Sequence, residues 1–210
     1  SRHTHPDGTT GFEVAQSIGR RLAAAAVAVR LDDRLLDLHR PLPSGGKFSV
    51  VTESSEQGRS ILRHSAAHVL AQAVLSLFPE ATFAIGPPIE DGFYYDFDIG
   101  RPFTPDDLER IEDRMHEIIA EDQPFIREAV SREEALEMFA DHPFKVEIIR
   151  STDTTEVAPG EEVTIYRNNG FVDLCRGPHI PSTGRLKAVK LLRTAGAYWR
   201  GDEKNPQLQR

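Results

Sequence analysis

The run Gly58-Arg59-Ser60-Ile61-Leu62-Arg63-His64-Ser65-Ala66-Ala67-His68-Val69-Leu70-Ala71-Gln72-Ala73-Val74-Leu75-Ser76-Leu77-Phe78-Pro79 decides how this chain is read. Ile61, Leu62, Ala66, Val69, Leu70, Ala73, Val74 and Leu77 recur at the three-to-four spacing that gathers side chains on one side of a helix. Pro79 cannot continue such a helix and closes it. The spacing therefore predicts a long, core-facing helix over 58–78. His64 and His68 are four apart on it, so both rings leave the same face one turn apart.

Upstream, the polar residues 53–58 form a natural linker. Before them, Phe12 to Ile18 has helical spacing and stops at Gly19. Ala25–Leu31, Leu35–Leu38 and Lys47–Thr52 read as strands, separated by an Asp32-Asp33 turn and a Pro41–Gly46 loop. A hairpin, a helix and a further strand in so few residues predict a small, ubiquitin-like β-grasp module over 1–55. Its opening, Ser1-Arg2-His3-Thr4-His5, is too polar to read as a first strand.

Downstream, Thr82–Ile85 and Phe93–Asp98 are strand-like around a Gly86-Pro87-Pro88 break. Thr104-Pro105-Asp106-Asp107 has the cap, proline and first-turn acids of a helix start, running to Glu121. Phe125–Val130 reads as strand, and Ser131-Arg132-Glu133-Glu134 is a capping box heading a helix to Ala140. Val163–Tyr166, a turn at 168–170, Phe171–Leu174 and Leu186–Leu192 read as β. The fold expected is α+β: a β-grasp module, then a larger α+β domain over 56–200 with the long helix on antiparallel sheet, then a linker beginning at 201–210.

With 210 residues, 39% hydrophobic and 28% charged, the composition is that of an ordinary globular protein with one large or two modest domains. No apolar run approaches the ~18 residues of a membrane span; the longest, Leu22–Val29, is short and alanine-rich. No basic-then-apolar leader opens the sequence. The single cysteine, Cys175, excludes an internal disulfide and fits a reducing compartment. The expectation is a cytoplasmic protein without a membrane partner. The net charge of −8 is uneven: residues 80–162 carry 7 basic and 23 acidic side chains, residues 163–210 carry 9 and 3. The basic last quarter hints at a phosphate-bearing partner.

A second pair, Cys175 and His179, lies four apart in Asp173-Leu174-Cys175-Arg176-Gly177-Pro178-His179, on a Gly-Pro loop after a strand. Each pair alone is more often packed or hydrogen-bonded structure. Together, three His and one Cys are the ligand set of a tetrahedral zinc site, and equally a set of acids and bases for activating water. Residues 65–67 are Ser-Ala-Ala, so the glutamate base of a metalloprotease helix is missing. Phe93, Tyr94, Tyr95 and Phe97 offer aromatic walls or plain core packing, and Lys145, one of seven basic residues in the acidic middle, could stabilise an oxyanion, bind phosphate or simply offset its acidic neighbours. Strand alternation sends Asp173 and Cys175 to one face. Arg176, Lys187, Lys190, Arg193 and Arg200 form a series that could track a nucleic-acid backbone.

These residues resemble the editing domains of the threonyl-tRNA and alanyl-tRNA synthetase families. Arg63-His64-Ser65-Ala66-Ala67-His68, Ile85-Gly86-Pro87-Pro88, Gly92-Phe93-Tyr94-Tyr95-Asp96, the 173–179 stretch and Ala197-Tyr198-Trp199-Arg200-Gly201-Asp202 favour the threonyl family, and the first 55 residues resemble its TGS module. The resemblance implies the amino-terminal proofreading portion of a threonine–tRNA ligase, hydrolysing serine mis-attached to tRNA(Thr) at the tRNA 3′ end. It implies catalytic work for His64, Lys145, Asp173 and His179 and substrate contacts for His68, Tyr95 and Cys175. Within that set, His64 and Lys145 organise or deprotonate the water, while Tyr95 and Asp173 place the seryl group and ribose. It also implies that ATP, Mg and a zinc belong to a synthetic core not included here, along with homodimer contacts. The site itself is expected to be metal-free, with zinc on His64, His68, Cys175 and His179 as the other case. The alternatives are a stand-alone zinc-dependent alanyl-tRNA deacylase and a non-catalytic RNA-binding module.

Overall fold

A computed structural model describes residues 3–43, 45–151 and 162–210. Ser1 and Arg2 of the polar start and Ser44 of the 41–46 loop lie outside the described residues. The chain opens with α1 (Gly11–Ile18), started by a reciprocal cap: Thr10 Oγ1 accepts the Glu13 N–H, and the Glu13 carboxylate accepts the Thr10 N–H. A short helix not foreseen, α2 (Arg20–Ala25), follows Gly19, its alanines favouring the helical state. Next come β1 (Ala26–Leu31), β2 (Arg34–Asp37) and β3 (Phe48–Thr52), an antiparallel sheet in the order β2-β1-β3. The β1–β2 turn uses Asp32 at φ 53, a left-handed conformation that Asp tolerates. Ala26, Val29, Leu31, Leu36 and Leu38 make a small core here, while Val27, Ala28 and Val51 join the main core of the molecule.

The long helix is α3 (Glu56–Leu77), capped by Ser55 Oγ accepting the Gly58 N–H. The burial expected of it extends past the apolar positions, for residues 65–74 are buried without interruption. Ser65, Ala66, Ala67, Ala71 and Ala73 are small enough for chain to close on every side, so α3 is a central helix rather than a surface one.

After α3 come four two-residue strands: β4 (Thr82–Phe83), β5 (Pro88–Ile89), β6 (Gly92–Phe93) and β7 (Phe97–Asp98). The continuous strand expected over 93–98 is thus split. The helix α4 (Pro105–Ala120) begins as read, with Thr104 and Asp107 capping each other. Then follow β8 (Ile126–Val130), α5 (Arg132–Met138) behind the Ser131–Glu134 capping box, and α6 (Pro143–Arg150), which the reading missed. β9 (Val163–Asn168) and β10 (Phe171–Leu174) form a hairpin turning at Asn169, and the sheet runs β10-β9-β8.

Two expectations for the end of the chain are corrected. Residues 186–192 are not a strand: they run over α4, where Glu112 accepts the Leu191 N–H and the Lys190 ammonium. Residues 201–210 do not form a loose linker. β11 (Gly196–Tyr198) and β12 (Gln207–Gln209) complete a sheet in the order β11-β12-β7-β4, with Leu208 fully buried. Every strand pairing is antiparallel, which with the six α-helices makes the described chain α+β. No helix among the described residues is long and apolar enough to cross a membrane.

Candidate active site

Four parts of the chain converge on one cavity of about 280 Å³: the first half of α3, the 85–88 turn with Tyr95, the buried face of α6, and the end of β10 with the loop after it. Its lining includes His64, His68, Tyr95, Lys145, Asp173 and Cys175. The size suits an amino-acid-sized group, at the small end of ligand pockets.

The first group centres on Asp173. Lys145 Nζ lies 2.6 Å from its Oδ1 and 2.9 Å from Tyr95 Oη, and the Tyr95 hydroxyl donates to Asp173 Oδ2 at 2.7 Å. The Leu174 N–H donates to Oδ1 at 2.7 Å, and His68 Nε2 lies 3.3 Å from Oδ2. Lys145 and Asp173 are 2% and 1% exposed. Burial alone would raise the Asp173 carboxyl, but Lys145, His68 and Tyr95 together hold it below its usual range. An ionised carboxylate only accepts, so His68 donates from Nε2 and its lone pair is on Nδ1. That nitrogen is buried with no hydrogen-bond partner among the described residues.

The second group centres on Cys175, whose Sγ lies 3.1 Å from His64 Nε2 and 3.4 Å from His179 Nε2. The 175–179 loop is held by backbone contacts: the Gly177 N–H points at Sγ at 3.1 Å, and the Ile180 N–H donates to Ser65 Oγ at 3.1 Å. The His179 ring stacks on Phe125 at 4.7 Å, with Nδ1 2.9 Å from Ser65 Oγ. Burial lowers His64 to about 4 and His68 to about 3, and pushes His179 well below the usual imidazole range. All three rings are therefore neutral at neutral pH, with lone pairs available as bases or ligands.

His64, His68, Cys175 and His179 each offer a ligand atom, and these four atoms lie within 4.8 Å of one another. The donor set and the unpartnered His68 Nδ1 fit a zinc ion.

Thus six of the seven expected residues line the cavity, from α3, the 84–96 stretch, α6 and β10 with the loop after it, and His179 stands behind them against Cys175. The expected aromatic wall is narrower than read. Of its four rings only Tyr95 lines the cavity; Phe97 packs behind it at 5.2 Å and Tyr94 lies 3.8 Å from the Arg210 guanidinium. The basic series lies at the surface, three of its members in ion pairs. Lys187 pairs with Glu53 and Lys190 with Glu112, both at 2.7 Å, and Arg200 with Glu147 at 3.0 Å. Arg176 lines the cavity and is exposed, as is Arg193, and neither has an ion-pair partner among the described residues. Sequence reasoning missed Ser65, which holds the His179 loop, and Gly86, where a Cβ would stand 2.1 Å from the Tyr95 ring. A polar residue in a run of buried alanines was the available signal for Ser65.

Residues 163–210 match the family described as "Threonyl and Alanyl tRNA synthetase second additional domain". Across nearly its whole length the chain is similar to threonine–tRNA ligases. It is 53% identical over 205 residues to that of Desulforamulus reducens, covering 97% of this chain and 32% of the relative. It is 52% identical over 198 residues to that of Rubrobacter xylanophilus, covering 94% and 30%. It is 50% identical over 211 residues to that of Paraburkholderia xenovorans, covering 100% and 32%. The chain spans about a third of the length of the curated relatives it matches. On this likeness, running through β9, β10 and both halves of the pocket, the chain belongs to the threonyl-tRNA synthetase family.

Proposed function

We propose that this cavity hydrolyses an aminoacyl ester at the 3′ end of tRNA, and that its substrate is serine mis-attached to tRNA(Thr). The observation that carries the reading is the convergence of the Asp173 group and the Cys175 group on one amino-acid-sized cavity. The need follows from chemistry: serine keeps the hydroxyl that a threonine site binds and lacks one methyl, a difference of only ~1–3 kcal/mol. A second pocket that admits serine and clashes with the extra methyl supplies the missing discrimination.

In the reaction, a water oxygen bonds to the ester carbonyl carbon and the bond from that carbon to the ribose oxygen breaks. Neutral His64 takes the proton from the attacking water and returns it to the ribose oxygen as it leaves. Lys145 offers positive charge to the carbonyl oxygen as it becomes negative. Tyr95 and Asp173 place the seryl group and terminal ribose, and His68, His179 and Cys175 complete the wall. Arg176, Lys187, Lys190, Arg193 and Arg200 are the basic side chains that would meet tRNA phosphates, Arg176 and Arg193 having no ion pair to give up among the described residues. Residues 1–55 act as a TGS-like β-grasp module, a reading supported by their compact three-stranded sheet and helices. Activation of threonine with ATP belongs to parts of the relatives that this chain does not span.

We take the site to work without metal. The compact His/Cys set also supports a second reading, a zinc-dependent alanyl-tRNA deacylase. A zinc held by His64, His68, Cys175 and His179 would supply an acidified water. Deacylation assays on Ser-tRNA(Thr), Thr-tRNA(Thr) and Ser-tRNA(Ala) separate these cases. The main reading expects serine release from the first substrate, threonine retained on the second, and little release from the third. Release chiefly from Ser-tRNA(Ala) replaces it with the alanyl reading, and no release from any substrate rejects both.

A further inference from the structure

The Asp37 carboxylate on β2, distant in sequence from every residue of the cavity, reaches the loop that carries Cys175 and His179. Its Oδ1 accepts the backbone N–H of His179 at 2.9 Å, and its two oxygens lie 2.8 and 3.0 Å from the Tyr166 hydroxyl. Tyr166 is itself set against the loop: its ring meets His179 edge-on at 4.5 Å, and a Cβ at Gly177 would stand 1.9 Å from its hydroxyl. Gly177 has φ +70, so this stretch of loop is built for glycine and for that close approach. The loop thus has two polar anchors behind the pocket. Ser65 on α3 takes the Ile180 N–H, and Asp37 takes the His179 N–H and the Tyr166 hydroxyl. Asp37 is half-buried with no ion-pair partner among the described residues; desolvation pushes its carboxyl up, and the His179 N–H and Tyr166 hydroxyl, with Arg127 more distantly, act against that.

We propose that Asp37 is a positioning residue for the deacylation site, holding Cys175 and His179 in place through the 175–179 backbone. The amino-terminal unit is then a structural part of the pocket rather than an attached module. This rests on the deacylase reading for its kinetic consequence, but its geometric consequence stands alone. With Asp37 truncated, the His179 N–H and Tyr166 hydroxyl lose their acceptor, and the loop keeps the Ser65 contact, the Cys175 N–H to Thr164 carbonyl bond and the stacking of His179 on Phe125.

The test uses the full 210-residue chain in wild-type, Asp37→Ala, Asp37→Asn, Tyr166→Phe and Glu53→Ala forms. Glu53 contacts Lys187 and Arg185 but not the loop, so it reports what loosening the amino-terminal unit does by itself. Because Cys175 is the only cysteine, its alkylation rate by iodoacetamide reads loop opening directly. Asp37→Ala is expected to alkylate at least about tenfold faster and to release serine about 10- to 100-fold more slowly in kcat, with KM within about threefold. Asp37→Asn keeps an acceptor for His179 and is expected to rescue both readouts, and Glu53→Ala to match wild type. Should Asp37→Ala fail to fold, Tyr166→Phe takes its place, with faster alkylation expected. Alkylation in the folded variant within twofold of wild type overturns the proposal, as does an equal effect from Glu53→Ala. If wild type releases no serine, the deacylase reading falls while the alkylation comparison still decides the role of Asp37.

Discussion

Lys145 Nζ lies 2.6 Å from Asp173 Oδ1, joining α6 to the end of β10 in a place where both side chains are almost wholly excluded from solvent. A pair buried this deeply is not there for stability alone, since apolar side chains of like volume would often do as well. Breaking it from one side is costly, because the other charge is left buried. Lys145→Met is expected to lower unfolding stability by ~3–5 kcal/mol in urea titrations. The double variant Lys145→Met/Asp173→Asn is expected to recover part of that loss. Losses that simply add would mean the two groups do not depend on each other.

Tyr95 owes its place to a glycine. At Gly86 a Cβ would meet the Tyr95 ring at 2.1 Å, and Phe97 packs on that ring at 5.2 Å. Gly86→Ala is therefore expected to displace the phenol from Asp173 and Lys145, with about 1–3 kcal/mol of destabilisation from overpacking and slower serine release. Gly92→Ala meets no atom within 4 Å and serves as the control, expected to stay within about 0.5 kcal/mol of wild type. Thermal melts of the two variants check this, and equal melts would contradict it.

Burial holds His64 at about 4 and His68 at about 3 in the folded chain, against about 6.5 when unfolded. Between those values the unfolded chain binds more protons, so the stability these rings contribute is present above about pH 6.5 and is lost as pH falls. Urea midpoints are expected to drop between pH 7 and 5, and less steeply in His68→Gln. After subtraction of spontaneous ester hydrolysis, kcat/KM is expected to be flat from pH 6 to 8. An inflection near 6.5 would contradict the neutral-histidine account.

The His/Cys quartet makes metal content a direct discriminator. Protein purified without added zinc or chelator is expected to hold well under one zinc per chain, and to keep its serine-releasing rate after chelation. One tightly held zinc, with activity lost on chelation and restored by zinc, would favour the zinc-dependent reading.

Much of the fold was legible because its signals were local. The caps at Ser131 and Thr104, the Gly19 stop and the α3 periodicity each act within a few residues. Of the pocket, the His64/His68 and Cys175/His179 pairs were legible from their spacing, while Tyr95, Lys145 and Asp173 were placed with them by what the resemblance implies. α6 was missed although Pro143 at its first turn and Phe144, Ile148 and Ile149 on one side were readable. β11 and β12 are three residues each, too short for a clear pattern; they pair with each other, and only β12 reaches distant β7, a contact no local window contains. The 186–192 error has the same root: an apolar, β-like run found side-chain acceptors on α4 instead of a strand partner. The charge series was legible as composition only: the sequence does not show that Lys187 meets Glu53 of the amino-terminal unit, or that Lys190 and Arg200 meet Glu112 and Glu147 of the acidic middle. Asp37 carried no local signal at all, and only the tertiary structure brings β2 to the 175–179 loop.

The most direct test of the account is the initial rate of serine release from Ser-tRNA(Thr) by the wild-type chain, beside its His64→Ala and Lys145→Ala variants. The account predicts rapid release by wild type and a fall of about 100-fold or more in each folded variant, in line with the loss of a general base or of an oxyanion partner. No release by wild type, or release that survives both substitutions unchanged, would contradict it.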